Sequence, residues 1–397
     1  MGEVNFCEVC DSRTLRPVLD LGLSPLCDDL IPIGSNVISK EYPVEILLCD
    51  KCFTAHQRYQ VAREDLFLPS YHYRARMTGS VLMGMRDFVD QCEKRFGNLS
   101  GFKVLDIGCN DGSLLDIFKE RGCITLGVEP TNAADDSKHP TIKKFFDVGA
   151  VSEVLDTFGI PDLITFTNVF AHIDNLNILL ENLKTLIGPK TKIVIENHYL
   201  GAVLKYGQFD TFYHEHPRTY SAKSFHFIAE KLGLKLVDVE FVSRYGGNIR
   251  AYLGDGKEIE FLGDELDSIL GFEKMNAWLT DWIPQTQQYL NQLVDDYGKL
   301  PAKAFPGRAV ILLKVLGVDE KTISAVYEIT GSQKVGNYVP GTKIPILPEK
   351  NLFALDPSPS HILNLAWHIP SEVQANLDKN AYVGTMLNLR PFESILK

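Results

Sequence analysis

The chain has 397 residues, 45% hydrophobic and 23% charged, enough for two or three domains that each bury a core. Forty basic against 51 acidic side chains give a formal net charge of −11, which excludes a protein that coats nucleic acid with a basic face. No apolar run is long enough to span a bilayer, and the start Met1-Gly2-Glu3-Val4-Asn5 lacks the basic and hydrophobic stretches of a signal peptide, so the chain reads as cytoplasmic, with no membrane or nucleic-acid partner.

Two C-x2-C knuckles come first, Cys7-Glu8-Val9-Cys10 and Cys49-Asp50-Lys51-Cys52, separated by 38 residues. Two thiolates at this spacing bite one metal from a single turn, and two turns give a tetrahedral site of four sulfurs, which suits a structural Zn2+. Four ordinary buried thiols are the plain alternative. A redox pair is disfavoured, because neither knuckle sits between a strand and a helix. The segment between the knuckles is loop-rich, so its folding is expected to depend on the metal. Cys27, Cys92, Cys109 and Cys123 read as small core residues.

The apolar run Val104-Leu105-Asp106-Ile107 predicts a buried strand. Gly108 and Gly112 then allow a tight turn into a helix over Leu114–Glu120, where a ligand can approach the backbone. The spacing is G-x-x-x-G, so it is neither the dinucleotide fingerprint of a dehydrogenase nor a P-loop. A second strand, Ile124–Val128, ends at Glu129, about 20 positions after the turn, where a carboxylate accepts from ribose hydroxyls. A third strand covers Leu163–Thr167, and a fourth, Lys192–Glu196, leads to His198. Asp147 is placed either to meet an adenine amino group or to cap a loop.

Towards the C-terminus, residues 272–298 carry an amphipathic pattern that Pro284 is expected to divide into two helices. Gly307–Leu313 reads as a strand, Thr322–Tyr327 as the next, and Ile362–Trp367 as a later one.

The run Asp106-Ile107-Gly108-Cys109-Asn110-Asp111-Gly112, followed by Val128-Glu129-Pro130, resembles class I methyltransferases that use S-adenosylmethionine. The likeness extends over most of the chain. The double knuckle, the segment Leu19–Asp29, Tyr71 and Tyr73, Asn168–His172, Gln208–His216, Gly246–Arg250 and Tyr338–Ile346 occur together and in this order. In that combination the chain resembles the three-domain sugar C-methyltransferases, which methylate a carbon of a nucleotide-linked 4-keto-deoxysugar.

The resemblance implies an α/β protein with a zinc module over 1–70, a Rossmann-like methyltransferase domain over 71–240 and a C-terminal Rossmann-like domain over 241–397. It implies S-adenosylmethionine held by Asp106, Gly108, Asn110, Gly112, Glu129 and Pro130, with Asn168 touching it. It makes His216 the general base, with Glu215 orienting it or holding a sugar hydroxyl, Tyr213 donating to the enolate oxygen, and His172 helping to stabilise the oxyanion or serving as alternative base. Carbon methylation needs such a set, because a sugar carbon becomes acidic only beside a carbonyl. His214 and His216 alternate, so in an extended segment they face opposite ways and one of them is structural. His172 in a core or capping role is the plain alternative, and the same holds for His198.

Tyr71, Tyr73, Asn197, Asn248 and Arg250 are implied substrate contacts, although both tyrosines could instead pack the zinc module. One departure stands out: no glycine-rich loop follows the strand read at Gly307–Leu313, as if about ten residues were missing and the C-terminal domain truncated. Arg74, Arg76, Arg218 and Arg250 are then the cations to consider for a substrate pyrophosphate. Oxygen or nitrogen methylation, or a catalytically altered scaffold, is the alternative function. The sequence leaves monomer and homodimer open.

Overall fold

The computed structural model describes residues 2–66, 74–260, 267–390 and 393–396; Tyr71 and Tyr73 lie outside them. The first module is an antiparallel sheet of β1 (Leu15–Pro25), β2 (Glu41–Cys49) and β3 (Ala55–Gln57). Its fourth strand comes from far along the chain: Arg218–Thr219 pairs with His56 and Ala55. Each knuckle closes on a residue in the left-handed region, Asp11 at φ 58° and Phe53 at φ 55°, whose amides donate to the Cys7 and Cys49 carbonyls at 2.9 and 3.0 Å.

The four sulfurs of Cys7, Cys10, Cys49 and Cys52 lie within 4.8 Å of one another, with Cys7–Cys52 at 3.4 Å and Cys10–Cys49 at 3.5 Å. Tetrahedral Zn2+ with bonds of about 2.3 Å needs sulfurs roughly 3.8 Å apart, so the cluster fits one structural zinc. The Lys51 amide donates to Cys49 Sγ at 3.4 Å, and the His56 ring nitrogen lies 3.3 Å from Cys7 Sγ; such contacts orient the ligands. No disulfide joins any of the eight cysteines.

The central sheet contains β4 (Lys103–Ile107), β5 (Ile124–Val128), β6 (Thr141–Ile142), β7 (Leu163–Thr167), β8 (Lys192–His198), β9 (Lys235–Val242) and β10 (Asn248–Gly254). Their order is 6-5-4-7-8-10-9. The first five are parallel and β10 is antiparallel to both neighbours. Helices α1 (Gly79–Phe96), α2 (Ser113–Glu120), α3 (Val148–Thr157), α4 (Leu176–Leu186), α5 (Leu200–Lys205) and α6 (Ala222–Lys231) belong to this part of the chain. The order reverses between β4 and β7, so their carboxyl ends flank a ligand crevice. A domain limit at 240 would cut through the β9–β10 hairpin. The sheet closes only at Gly254, because β10 must pair with β8 to complete it.

The C-terminal part opens with α7 (Ser268–Tyr297), one helix that runs through Pro284 instead of breaking there. Pro284 and Thr280 are exposed, so the hydrogen bond lost at the Thr280 carbonyl falls on the outer face of the helix, while Phe272, Met275, Leu279, Leu290 and Leu293 remain buried on both sides of the proline. A parallel sheet follows, of β11 (Leu300–Lys303), β12 (Ile323–Glu328), β13 (Ile346–Pro348), β14 (His361–Asn364) and β15 (Thr385–Asn388), in the order 13-12-11-14-15. The expected strand at Gly307–Leu313 is mostly a helix, α8 (Ala309–Val315), with Ala309, Val310, Ile311, Leu312 and Leu313 all buried. A short, wholly apolar run has no period by which strand and helix can be told apart. The strand is β11, one element earlier, and residues 304–308 form the turn into α8. The first strand–turn–helix unit of the Rossmann-like domain is therefore compact, not deleted.

The purified chain should bind one zinc per molecule by metal analysis, and Cys52→Ser should bind none. A strong chelator should lower the melting temperature of the wild type but not of Cys52→Ser; metal-free wild type of equal stability would refute the site.

Candidate active site

The turn after β4 is built for close backbone approach. Gly108 and Gly112 have φ of 73° and 77°, and Asn110 has φ 51°. A Cβ on Gly108 would lie 2.5 Å from the Val169 methyls, and one on Gly112 would lie 2.6 Å from Ser137 Oγ. Asp106, at the end of β4, is buried and accepts from Thr165 Oγ1 at 2.7 Å; burial pushes its carboxyl up to about 7. Glu129 ends β5. One oxygen accepts from the Asn110 amide at 3.0 Å, and the other from the Thr131 amide and hydroxyl at 2.9 and 2.6 Å, which holds the Pro130 turn against the glycine loop. Residues 75–76 lie over the same loop: the Ala75 amide donates to Asn110 Oδ1 and the Arg76 amide to Asp111 Oδ2. Asn168, at φ 55° beyond β7, accepts from Asn248 Nδ2 at 3.0 Å. Asp147 caps α3, accepting from the Ala150 amide.

Across from this crevice, three imidazoles meet. The His216 ring centroid is 4.7 Å from His172, 5.3 Å from His198 and 4.3 Å from the Tyr213 ring. His216 is 5% exposed, and its Nδ1 lies 2.9 Å from the Thr211 carbonyl oxygen. A carbonyl only accepts, so Nδ1 carries the proton and Nε2 keeps its lone pair. Burial and the two neighbouring imidazoles hold His216 well below the usual histidine range. Burial likewise lowers His172 to about 4 and His198 to about 3. The cluster is neutral at pH 7.

Glu215 lies 3.8 Å from His172 Nδ1 and accepts from the Cys27 thiol at 2.6 Å; burial, with Asp28 nearby, raises its carboxyl to about 8. His214 points elsewhere, with Nε2 3.3 Å from the Tyr42 carbonyl, and so joins the zinc module to this segment. Sequence reasoning missed Cys27, since a single cysteine in a loop carries no signal of a contact 188 residues away.

The four arginines considered for pyrophosphate are all paired. Arg74 donates to Asp136 at 2.6 Å and Arg76 to Asp111 at 3.0 Å. Arg218 is fully buried and donates to Glu8 at 2.7 Å and to the Ile173 and Asp174 carbonyls. Arg250 is buried between Glu196 at 2.5 Å and Asp87 at 2.6 Å. Asn197 is 1% exposed, and neither its Oδ1 nor its Nδ2 has a hydrogen-bond partner among the described residues; the same is true of Asn248 Oδ1.

The glycine turn, the acidic strand end and the strand order define the class: an S-adenosylmethionine-binding methyltransferase. Residues 73–239 match the family model of a methyltransferase domain, 7–67 that of a putative zinc binding domain, and 260–387 that of a C-methyltransferase C-terminal domain. The chain thus carries, in this order, matches to a zinc-binding domain, a methyltransferase domain and a C-methyltransferase C-terminal domain. It is 27% identical over 391 residues to the C-methyltransferase NovU of Streptomyces niveus, covering 94% of this chain and 92% of that one. Among solved structures, it is similar to an S-adenosylmethionine-dependent methyltransferase of Archaeoglobus fulgidus (20% identity, 48% of this chain and 87% of that one, TM-score 0.33). It is also similar to the magnesium protoporphyrin IX methyltransferase of Synechocystis (13% identity, 43% and 77%, TM-score 0.32).

The neutral cluster has a consequence for stability. Below the ordinary histidine value of 6.5, the unfolded chain takes up protons that the fold refuses down to about 4 at His172 and about 3 at His198, so stability falls as pH falls. Glu215 works in the opposite sense, since the fold keeps its proton up to about 8. Replacing His198 by Asn should therefore flatten the fall between about pH 6 and 4.5 by about 1.4 kcal/mol per pH unit in urea unfolding. An unchanged slope would show that His198 titrates normally in the fold.

Proposed function

We propose that the chain methylates a ring carbon of a nucleotide-linked 4-keto-deoxysugar, with His216 as the general base. The observation that carries this reading is the fixed tautomer of His216. Its Nδ1 is committed to the Thr211 carbonyl, so Nε2 offers a lone pair in buried surroundings where the imidazole is neutral. Bound S-adenosylmethionine supplies a methyl group on a sulfonium, ready for displacement by a carbanion. The chain must provide the carbanion. His216 Nε2 takes the proton beside the ketone, and the electron pair moves onto the ketone oxygen.

Tyr213 keeps its proton, because burial raises its phenol well above the usual range, and it donates to the enolate oxygen. His172, on the same face as His216, assists at that oxygen or replaces the base. Glu215, expected to orient His216 or hold a sugar hydroxyl, lies 3.8 Å from His172 Nδ1, so we assign it to His172 or to a sugar hydroxyl instead. Asp106, Gly108, Asn110, Gly112, Glu129, Pro130 and Asn168 line the cofactor side; Glu129 would exchange part of its loop contacts for ribose hydroxyls. The unpartnered atoms of Asn197 and Asn248 support a polar substrate group beside them. Tyr71 and Tyr73 remain assigned to the nucleotide-sugar. Arg250 serves indirectly, holding Glu196, which in turn accepts from Asn248 at 3.1 Å.

We divide the chain at about residue 70 and, given the sheet, at 254 and not at 240. No helix among the described residues is long and apolar enough to cross a membrane. A cytoplasmic location is supported by eight cysteines without a disulfide, and we expect a monomer or homodimer.

His216→Gln should bind S-adenosylmethionine normally by calorimetry yet lose methyl transfer about 10²–10⁴-fold. In D2O the wild type should exchange the ring proton next to the ketone, and His216→Gln should not. Product NMR should show a methyl singlet on carbon; a methyl on oxygen or nitrogen, or near-native turnover by His216→Gln, would overturn the proposal.

A further inference from the structure

The carbonyl that fixes the His216 tautomer belongs to a three-residue 3-10 turn, Phe209–Thr211. Side chains of the C-terminal domain grip that turn. Arg308, at the end of the turn after β11, donates to both oxygens of Asp210, from Nε at 2.9 Å and from Nη2 at 2.6 Å. Its Nη1 and Nη2 also lie 3.4 and 3.3 Å from Gln208 Oε1. Trp367, beyond β14, donates from Nε1 to Asp210 Oδ2 at 2.8 Å, and the Arg308 guanidinium stacks 4.9 Å from the Trp367 ring. Arg308 is 7% and Asp210 1% exposed.

We propose that Arg308 is a positioning residue for the base: through Asp210 it holds the Phe209–Thr211 turn, so that the Thr211 carbonyl fixes the reactive tautomer of His216. This rests on His216 being the base. The physical argument is geometric. Two nearly parallel donors on one carboxylate fix both the distance and the plane of Asp210. The carbonyl on the following residue is thereby aimed at His216 Nδ1. A buried ion pair contributes little net stability after desolvation, so its main effect here is on direction. The turn's own backbone bonds, from the Thr211 amide to the Gln208 carbonyl at 2.9 Å and from the Phe212 amide to the Phe209 carbonyl at 3.1 Å, close only three residues beyond Gly207, at φ 54°, and the Arg308–Asp210 pair anchors that short turn to the C-terminal domain. The compact β11–α8 connection thus delivers a guanidinium to the catalytic segment of the other domain.

The test uses full-length Arg308→Gln, Arg308→Lys and Trp367→Phe, with a keto-deoxysugar nucleotide that the wild type turns over. Arg308→Gln should lower kcat about 10–100-fold, the cost of an ångström-scale misplacement. KM should stay within about 3-fold of the wild type, as should S-adenosylmethionine affinity, because neither contact is with a ligand. Arg308→Lys should recover part of the rate, and Trp367→Phe, which removes a single donor, should lose only a few-fold. The decisive readout is the 15N shift pair of the His216 ring: one Nδ1–H tautomer in the wild type and a mixture in Arg308→Gln. If Arg308→Gln does not fold, Arg308→Lys and Trp367→Phe give the same readouts at smaller amplitude. Unchanged kcat, a rise in KM alone, or a lowered kcat with an unmoved ring signature would each overturn the proposal. The two readings separate cleanly: an inactive His216→Gln beside a fully active Arg308→Gln removes this inference alone, whereas an active His216→Gln removes the base.

Discussion

The arrangement depends on one stretch of backbone, residues 208–220, being gripped by all three modules at once. Arg308 of the C-terminal domain holds Asp210. The Tyr42 carbonyl of the zinc module meets His214. Arg218 pairs with Glu8, which sits inside the first knuckle, while Arg218 and Thr219 complete the zinc module's sheet. Between these anchors lie Tyr213, Glu215 and His216. A segment with so little regular structure cannot fix imidazole geometry by itself, since turns of this length lack a cooperative hydrogen-bond ladder. Its precision is borrowed from the three modules that hold it. One apolar core runs through them too, joining Val44 and Ile46 of the first sheet to Phe209 and Phe212 and on to Phe272, Met275 and Leu312.

This explains why a structural zinc belongs in an enzyme whose chemistry does not use it. The metal clips the knuckles, the first knuckle carries Glu8, and Glu8 holds the guanidinium that also binds the Ile173 and Asp174 carbonyls just after His172. The coupling from metal to site is a chain of buried hydrogen bonds, with no open coordination position needed. The same enclosure sets the electrostatics. Three imidazoles within about one ring diameter cannot all be charged in a low dielectric, so they remain neutral, and a neutral imidazole with a fixed tautomer is what a base requires at neutral pH.

The net charge of −11 takes on a more definite meaning beside this. Arg74, Arg76, Arg218 and Arg250 are each bound to an acidic side chain; such one-to-one pairs leave the net charge unchanged but spend these cations on internal partners. Burying an arginine requires such a partner. The sequence could count these arginines but not pair them, because partners such as Glu8 and Arg218 lie 210 residues apart.

Local chemistry was legible from the chain alone. The knuckle spacing dictates four converging thiols, the glycines at 108 and 112 permit left-handed turns, and the strands at 104–107, 124–128 and 163–167 follow from unbroken apolar runs. The alternation of His214 and His216 foretold that they would part company. What failed was local pattern without period or punctuation: the apolar run 309–313 became a helix because a wholly buried element shows no amphipathic face, and Pro284 stayed inside a helix whose missing hydrogen bond, at the Thr280 carbonyl, falls on the exposed face. Only the tertiary structure decided which nitrogen of His216 carries the proton, which arginines are spent on ion pairs, and that Cys27 meets Glu215. Those are outcomes of contacts between residues tens to hundreds of positions apart, and no spacing in a sequence encodes a distance across a domain interface.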